Sequence, residues 1–252
     1  MKEIRCFENV VLHPKPLQRG KYLFRQGEQF RFLYLVRSGC VKNYIYSGDG
    51  TEQITGFTLP GEILGLDSME NGKYVSSAVA LETTSICKLP FERFEELCRQ
   101  LPGLQDRFFQ LSSRKIVSFH NLSYLIGHRP AEERLASFLV DYSLRIGKHG
   151  YSKTEFNLSM TRYDIANYLG LTIETVSRLF SKFSNEGILK VERRLIAITC
   201  PELLMKIAKS LTSCTFTSSR GMWQEENKVR YDYLHDKFIL RKPPEFAGMY
   251  KN

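Results

Sequence analysis

The sequence predicts an α+β protein with an N-terminal antiparallel β-barrel or β-roll and a C-terminal helical part that contains a helix-turn-helix followed by a β-hairpin. Three observations support this. From about Pro14 to Pro102, short runs of β-forming residues alternate with Gly-containing turns. After Pro102, apolar residues recur at helical spacing. Further on, two short helical segments meet at Gly170.

Composition places the chain among ordinary globular proteins and favours a polyanionic partner. It has 252 residues, of which 42% are hydrophobic, and a formal net charge of +9. Residues 1–101 hold 13 Lys+Arg against 12 Asp+Glu, and the remainder holds 23 against 15. No apolar run reaches the length of a signal-peptide core or the roughly 20 residues of a membrane span. We therefore expect a cytoplasmic protein whose second part meets nucleic acid and which has no membrane partner.

The cysteines show no metal-binding pattern. They contain no C-x-x-C pair and no His at ligand spacing, which favours buried thiols in a reduced compartment over a structural zinc site. The six are Cys6, Cys40, Cys87, Cys98, Cys200 and Cys214.

The N-terminal strands are predicted from YLFRQGEQFRFLYLVRSGCVKNYIYSGDGTEQITGFTLPGEILG, where turn signals containing Gly recur at close intervals. SSAVALETTSICKLPF adds two short strands, and FERFEELCRQL predicts a short helix.

A long amphipathic helix follows in GLQDRFFQLSSRKIVSFHNLSYLIG. Its apolar stripe either packs on its own domain or forms a dimer seam, and we favour the seam. The predicted seam residues are Leu104, Phe108, Leu111, Ile116 and Phe119.

A second helix in HRPAEERLASFLVDYSLRIGKHG precedes the helix-turn-helix. Thr161 and Asp164 are spaced to cap the first helix of that pair, Gly170 supplies the backbone freedom that ends it, and Thr172 can cap the next. This predicts two short helices with a three- or four-residue joint, the geometry of a DNA-reading helix-turn-helix.

The second helix of the pair presents a polar face. Val176, Leu179 and Phe180 point inward by spacing, whereas Glu174, Ser177, Arg178 and Ser181 point outward. A carboxylate can accept a hydrogen bond from cytosine N4, and a guanidinium can donate two to guanine. The alternative is that Glu174 only complements the helix dipole and pairs with Arg178 on a solvated face. The hairpin ILKVERRLIAI, with Arg193 and Arg194 at its tip, favours the DNA-reading interpretation.

Taken together, these residues resemble the Crp/Fnr family of bacterial transcription factors, and most closely its fumarate-nitrate-reduction branch. The resemblance runs from about Lys15 to Thr199 and rests on KPLQRGKYLF, RSGCVKNY, GDGTEQITGF, ALETTSICKLPF, AEERLASFL, MTRYDIANYLGLTIETVSRL and GIL. It implies a cyclic-nucleotide-binding-like β-roll over 1–101, a dimerisation helix over 102–127 and a winged helix-turn-helix over 128–212. Residues 213–252 form an atypical extension, read as a polar linker with aromatic residues that could dock on the body.

The resemblance also implies a homodimer that reads a TTGAT-N4-ATCAA-like palindrome through Glu174, Ser177 and Arg178 and contacts RNA polymerase. The loop around Gly48–Thr51 is the candidate polymerase contact, although a plain hairpin turn explains it equally well. The predicted contacts to the DNA backbone are Thr161, Arg162, Thr172, Thr175, Arg193 and Arg194.

Neither cofactor known in the family is expected from this sequence. Cys87 matches the fourth ligand of the branch's [4Fe–4S] cluster, but nothing matches the other three. Either three cysteines are encoded upstream of Met1, or oxygen sensing has been lost. Cyclic AMP is not expected to bind, because GEILG is followed by ENGKYVSSAVAL, which lacks the arginine that the resemblance implies for pairing with the phosphate.

Two other classes of function compete with this interpretation. A small-molecule-binding roll without DNA-binding activity remains the alternative to a transcription regulator. An enzyme has little support, because the sequence contains no G-x-S-x-G nucleophile motif and no Gly-rich phosphate loop after a strand.

Overall fold

The computed structural model describes residues 11–208, apart from the side chains of residues 95 and 102. Cys6, Cys214 and the predicted extension 213–252 lie outside the described residues. The described chain forms a β-roll, a long helix and a winged helix-turn-helix, so the predicted fold class is confirmed.

The roll consists of two antiparallel sheets. Its strands are β1 (Tyr22–Phe24), β2 (Phe32–Ser38), β3 (Val41–Tyr46), β4 (Glu52–Thr58), β5 (Ile63–Leu64), β6 (Ser77–Ala80) and β7 (Ser85–Pro90). One sheet has the order β1-β6-β3-β4 and the other β5-β2-β7. Gly39 shows why a glycine is needed between β2 and β3. Its φ is +87°, and a Cβ there would lie 2.6 Å from Thr84 Oγ1.

The core of the roll is aromatic. Phe24 and Tyr74 stack with ring centroids 3.9 Å apart, and Phe30 meets the edge of Tyr74. A short helix, α1 (Phe94–Gln100), then leads into α2 (Pro102–His128). Phe108 of α2 is only 8% exposed and lies 4.5 Å from the ring of Phe94 in this core. This burial within the roll leaves little of the Phe108 side chain exposed for the predicted dimer seam.

The remaining seam residues of α2 are less buried. Leu104 and Leu111 are half-buried, whereas Ile116 and Phe119 are exposed. Phe109, Val117 and Tyr124 are also exposed on this helix. These large apolar residues leave much of α2 uncovered in the single chain.

The second half holds the predicted helix-turn-helix. Its elements are α3 (Ala131–Gly147), β8 (Glu155–Asn157), α4 (Arg162–Leu169), α5 (Ile173–Asn185), β9 (Leu189–Glu192), β10 (Leu195–Ile198) and α6 (Pro201–Ala208). The wing is a sheet of order β8-β10-β9, so the predicted hairpin gains a third strand that sequence reasoning missed. Within residues 11–208, no helix is long and apolar enough to cross a bilayer.

The core of the winged half continues into the roll. One buried cluster includes Tyr44, Ile54 and Phe57 of the roll together with Leu139 and Ile165 of the winged half. The two halves are thus packed together rather than joined only by the chain.

Candidate nucleic-acid interface

Helix α4 begins with the capping box that the sequence predicts. The Thr161 hydroxyl accepts a hydrogen bond from Asp164 N at 3.1 Å, and the Asp164 carboxylate accepts one from Thr161 N at 2.8 Å. Two of the otherwise unpaired N–H groups at the helix start are satisfied in this way. The start of α4 is therefore fixed by its own sequence.

The turn between α4 and α5 is held from outside by Arg134 of α3. Gly170 ends α4 in the left-handed region, with φ 62°. The Arg134 guanidinium donates to the carbonyls of Leu169 and Gly170 at 3.1 and 3.4 Å, and to that of Arg129 at 2.7 Å. A cation at the carbonyl end of a helix is favourable. Sequence reasoning missed this residue, and its only signal was a charged side chain within the apolar-rich AEERLASFL.

Helix α5 carries its inward face into the core of the winged half. The Thr172 hydroxyl accepts from Thr175 N at 3.2 Å and caps the helix as predicted. Val176 and Phe180 are buried, and so is Phe183 one turn further on. Burial of this face fixes which side chains point away from the protein.

The predicted reading residues lie together on the opposite face. Glu174, Ser177 and Arg178 are all exposed. A shallow groove of about 490 Å³ runs along this face, lined by Ser177, Arg178, Ser181, Lys182, Asn185 and Glu186. The outward placement of the reading residues predicted from helical spacing is confirmed.

Glu174 also stabilises the start of its own helix. Hydrogen bonds from its backbone N–H and from the Thr172 hydroxyl lower the pKa of its carboxyl group, with a smaller effect from Arg178. Arg178 donates to Thr175 Oγ1 at 3.4 Å, and within residues 11–208 it forms no ion pair with Glu174. The helix-start role considered for Glu174 is thus present, whereas the salt bridge is absent from this part of the chain.

The residues predicted to contact the DNA backbone differ in exposure. Arg193 and Arg194 are exposed at the tip of the wing. The Arg162 guanidinium instead lies over the ring of Phe180, 3.2 Å from its centroid, and burial lowers its pKa to about 10. It therefore remains charged at neutral pH beside α5.

The two family cofactors can be tested against the roll. Cys87 lies in β7, with its Sγ 3.4 Å from His13 Nδ1, and burial raises the pKa of its thiol. Within residues 11–208, no group of three or more His, Cys, Asp or Glu side chains could hold a metal ion. The described residues therefore do not fit a [4Fe–4S] cluster, which needs four thiolates.

The carboxylate of the GEILG segment, which the resemblance links to cyclic-nucleotide binding, is already bound by an arginine. Glu62 accepts hydrogen bonds from Arg145 Nε and Nη2 at 2.8 and 2.7 Å and from Leu59 N at 3.1 Å. A ligand hydroxyl would have to displace the guanidinium from this site.

The roll, the long helix and the exposed face of α5 define a winged helix-turn-helix regulator with a cyclic-nucleotide-binding-like domain. Similarity to known protein families and proteins agrees with this assignment. Residues 14–101 match the model of the cyclic nucleotide-binding domain, and residues 133–207 match that of the Crp-like helix-turn-helix domain. The chain belongs to the Crp/Fnr family of transcription regulators, a family of regulators rather than enzymes.

Relatives of the chain are found in the predicted branch. The transcriptional activator protein Anr of Pseudomonas protegens is 42% identical over 208 residues, which cover 82% of this chain and 85% of the relative. The fumarate and nitrate reduction regulatory protein of Escherichia coli K12 is 40% identical over 206 residues, which cover 82% of both chains. Among solved structures, FixK2 from Bradyrhizobium japonicum has a TM-score of 0.69 at 28% identity and covers 79% of this chain and 97% of its own.

Proposed function

We propose that the protein is a homodimeric regulator that reads a TTGAT-N4-ATCAA-like palindrome with one α5 helix in each half-site. The observation that carries this is the joint exposure of Glu174, Ser177 and Arg178 on the face of α5 opposite its buried stripe. Glu174 would accept a hydrogen bond from a cytosine N4, and Arg178 would donate hydrogen bonds to guanine O6 and N7. Ser177 lies between them and suits either base.

Contacts to phosphate would supply sequence-independent affinity. Arg193 and Arg194 are exposed cations at the tip of the wing, and Arg162 carries its charge next to α5. The hydroxyls of Thr161, Thr172 and Thr175 lie at the starts of α4 and α5, where helix dipoles favour a phosphate. These residues would fix the register of α5 in the major groove.

Dimerisation through α2 would bring two reading helices together. Ile116 is 55% exposed and Phe119 39% exposed, and Leu104 and Leu111 nearer the start of the helix are half-buried. Apolar residues at this spacing on a long helix suit a two-stranded seam. Phe108 is not part of the proposed seam.

Activation would require a contact with RNA polymerase, for which the β3–β4 loop is the candidate. Its residues 47–51 are exposed, and Thr51 N donates to the Asp49 carboxylate at 3.0 Å, which orders the turn. The same bonds would order a simple hairpin turn, so the loop's role depends on the family resemblance.

Chromosomal DNA as the partner implies a protein of the bacterial cytoplasm, and the resemblance to the fumarate-nitrate-reduction branch suggests anaerobic or redox-responsive control. A [4Fe–4S] cluster would require cysteines upstream of Met1, with Cys87 as the fourth ligand, and cyclic AMP is not expected.

The test is an electrophoretic mobility shift of the full chain with a duplex containing TTGAT-N4-ATCAA, together with sedimentation analysis of the free protein. We expect a dimer and a shift that survives excess random DNA. A scrambled duplex of equal length is the control. A folded dimer that gives no shift at low salt would favour the alternative, a small-molecule-binding roll without DNA-binding activity.

A further inference from the structure

The winged half is attached to the roll by polar contacts that reading of DNA does not itself require. The first is made by Lys42 of β3. Its Nζ lies 2.9 Å from Glu52 Oε1 on β4 and 3.2 Å from Asp164 Oδ1 on α4. All three side chains are largely buried, with 14, 21 and 9% of their surfaces exposed. The aspartate that caps α4 is thus also bonded to the roll.

Asn167 adds a second contact in the same place. Its side-chain oxygen accepts from Ile54 N at 2.7 Å, and its side-chain nitrogen donates to the Glu52 carbonyl at 2.8 Å. The amide therefore pairs with β4 as a neighbouring strand residue would. Together with Lys42 these bonds form what we call the α4 clasp, defined by Lys42, Asp164 and Asn167.

A second ion pair joins α3 to the roll. Arg145 makes the two bonds to Glu62 given above, also donates to the Phe57 carbonyl, and lies 3.1 Å from Asp141. Burial alone would raise the pKa of Glu62, but the charge and hydrogen bonds of Arg145 lower it. This pair is called the α3 clasp.

Packed rings fill the space between the clasps. Phe57 of β4 lies 5.3 Å from Tyr168 of α4 and 6.0 Å from Phe138 of α3. Arg134 in turn binds the end of α4 to α3, so α3, α4 and the start of α5 are held together. The orientation of α5 relative to the roll is consequently fixed by two sets of contacts and by the packing between them.

This docking leaves the reading face free, because Glu174, Ser177 and Arg178 remain exposed while both clasps are closed. Its consequence is geometric. Helix α2 is anchored in the roll through Phe108. In a dimer formed through α2, the distance and angle between the two α5 helices therefore depend on how each winged half is oriented on its roll. One extra base pair between half-sites shifts them by about 3.4 Å and about 34°.

We propose that Lys42, Asn167 and the Glu62–Arg145 pair are positioning residues that set which half-site spacing the dimer accepts. This inference rests on the proposed function, because it presupposes dimeric binding to two half-sites. The clasps contribute little to the contacts that one α5 helix makes with a single half-site. They mainly restrict the placement of the two α5 helices of the dimer relative to each other.

The test measures affinity for four duplexes, which carry a single half-site or the palindrome with spacers of three, four or five base pairs. The variants are Lys42→Met and Asn167→Ala for the α4 clasp and Glu62→Gln for the α3 clasp, so at least one clasp is intact in each. Lys42→Arg, which keeps the charge, is the conservative variant. Arg93→Gln is the control, because the Arg93–Glu96 pair is exposed and lies within the roll half. Circular dichroism and sedimentation confirm that each variant is a folded dimer.

We expect the wild type to bind the palindrome with its best spacer about tenfold more tightly than the palindrome with the next-best spacer. The clasp variants should reduce this ratio of affinities at least about threefold. Their affinity for the single half-site should change less than about twofold. Lys42→Arg and Arg93→Gln should keep the wild-type ratio. If the ratio stays unchanged in all folded clasp variants, or if all affinities fall in parallel, the proposal is overturned. A wild-type dimer that binds not even the half-site overturns the proposed function itself, which is a distinguishable result.

Discussion

At the residue scale, the acid at the start of the reading helix has two compatible roles. Hydrogen bonding from its own N–H and from Thr172 lowers the pKa of its carboxyl group, which favours the ionised form at the start of α5, and the carboxylate is still exposed on the reading face. An acid here does not conflict with the net charge of +9, because attraction to phosphate and discrimination between bases are separate tasks. Unpaired charge against the wrong base raises the free energy of a mismatched complex.

Arg178 is expected to discriminate a base rather than bind phosphate. Arg178→Ala should weaken binding to the palindrome by about 1–3 kcal/mol and relax selectivity at the guanine. Competition shifts with a base-substitution series at that position measure both effects. Equal loss on specific and random DNA would instead make Arg178 a phosphate contact.

Arg193 occupies a backbone conformation that a glycine would adopt more easily. Its φ is 55°, in the left-handed region, at a two-residue turn between Glu192 and Leu195. Arg193→Gly should relieve strain of about 1 kcal/mol yet weaken DNA binding and reduce the salt slope by about one. Urea unfolding and affinity at several salt concentrations test this. Arg93→Gln removes an equal charge far from the wing as a control, and unchanged affinity in Arg193→Gly would exclude the phosphate contact.

At the element scale, the boundaries of the reading unit follow from local sequence, whereas its supports do not. T-x-x-D, Gly170 and Thr172 each act locally, and the capping box, the turn and the second cap appear as predicted. Arg134 binds carbonyls 35 and 36 residues away, so no local pattern could reveal it. Phe108 shows the same limit, because helical spacing places it on the apolar stripe but cannot say which domain buries it.

Arg134 should therefore matter to the placement of α5 although it reads no base. Arg134→Met keeps much of the apolar stem but leaves three carbonyls without their charged donor. We expect about 1–3 kcal/mol lower stability in urea unfolding, together with weaker specific binding. Arg93→Met, at an exposed arginine, should change neither. Weakened stability with fully retained DNA affinity would show that Arg134 supports the fold alone.

At the scale of the whole molecule, the division into a roll and a winged half could be predicted, but the way they are joined could not. Composition and turn spacing separate the two halves along the chain. The clasps join groups more than 80 residues apart along the chain, such as the Arg145 guanidinium with the Glu62 carboxylate and the Asn167 side chain with the Ile54 backbone N–H. A polar residue in a strand or helix gives no sign of which distant partner it meets, so only the folded structure identifies these contacts.

The α3 clasp should make stability depend on pH on the acid side. Because Arg145 lowers the pKa of Glu62 in the folded protein, this pair contributes stability fully above the ordinary glutamate pKa of about 4.3 and loses it as pH falls through the lower folded value. Between about pH 6 and about pH 3, the unfolding free energy of the wild type should therefore fall more steeply than that of Glu62→Gln. Urea unfolding at each pH measures this, with Glu96→Gln as a control at an exposed carboxylate that should run parallel to the wild type. Parallel curves for Glu62→Gln and wild type would show that the ion pair adds no net stability, and would shift the anchoring of α3 to the packed rings of Phe57, Phe138 and Tyr168.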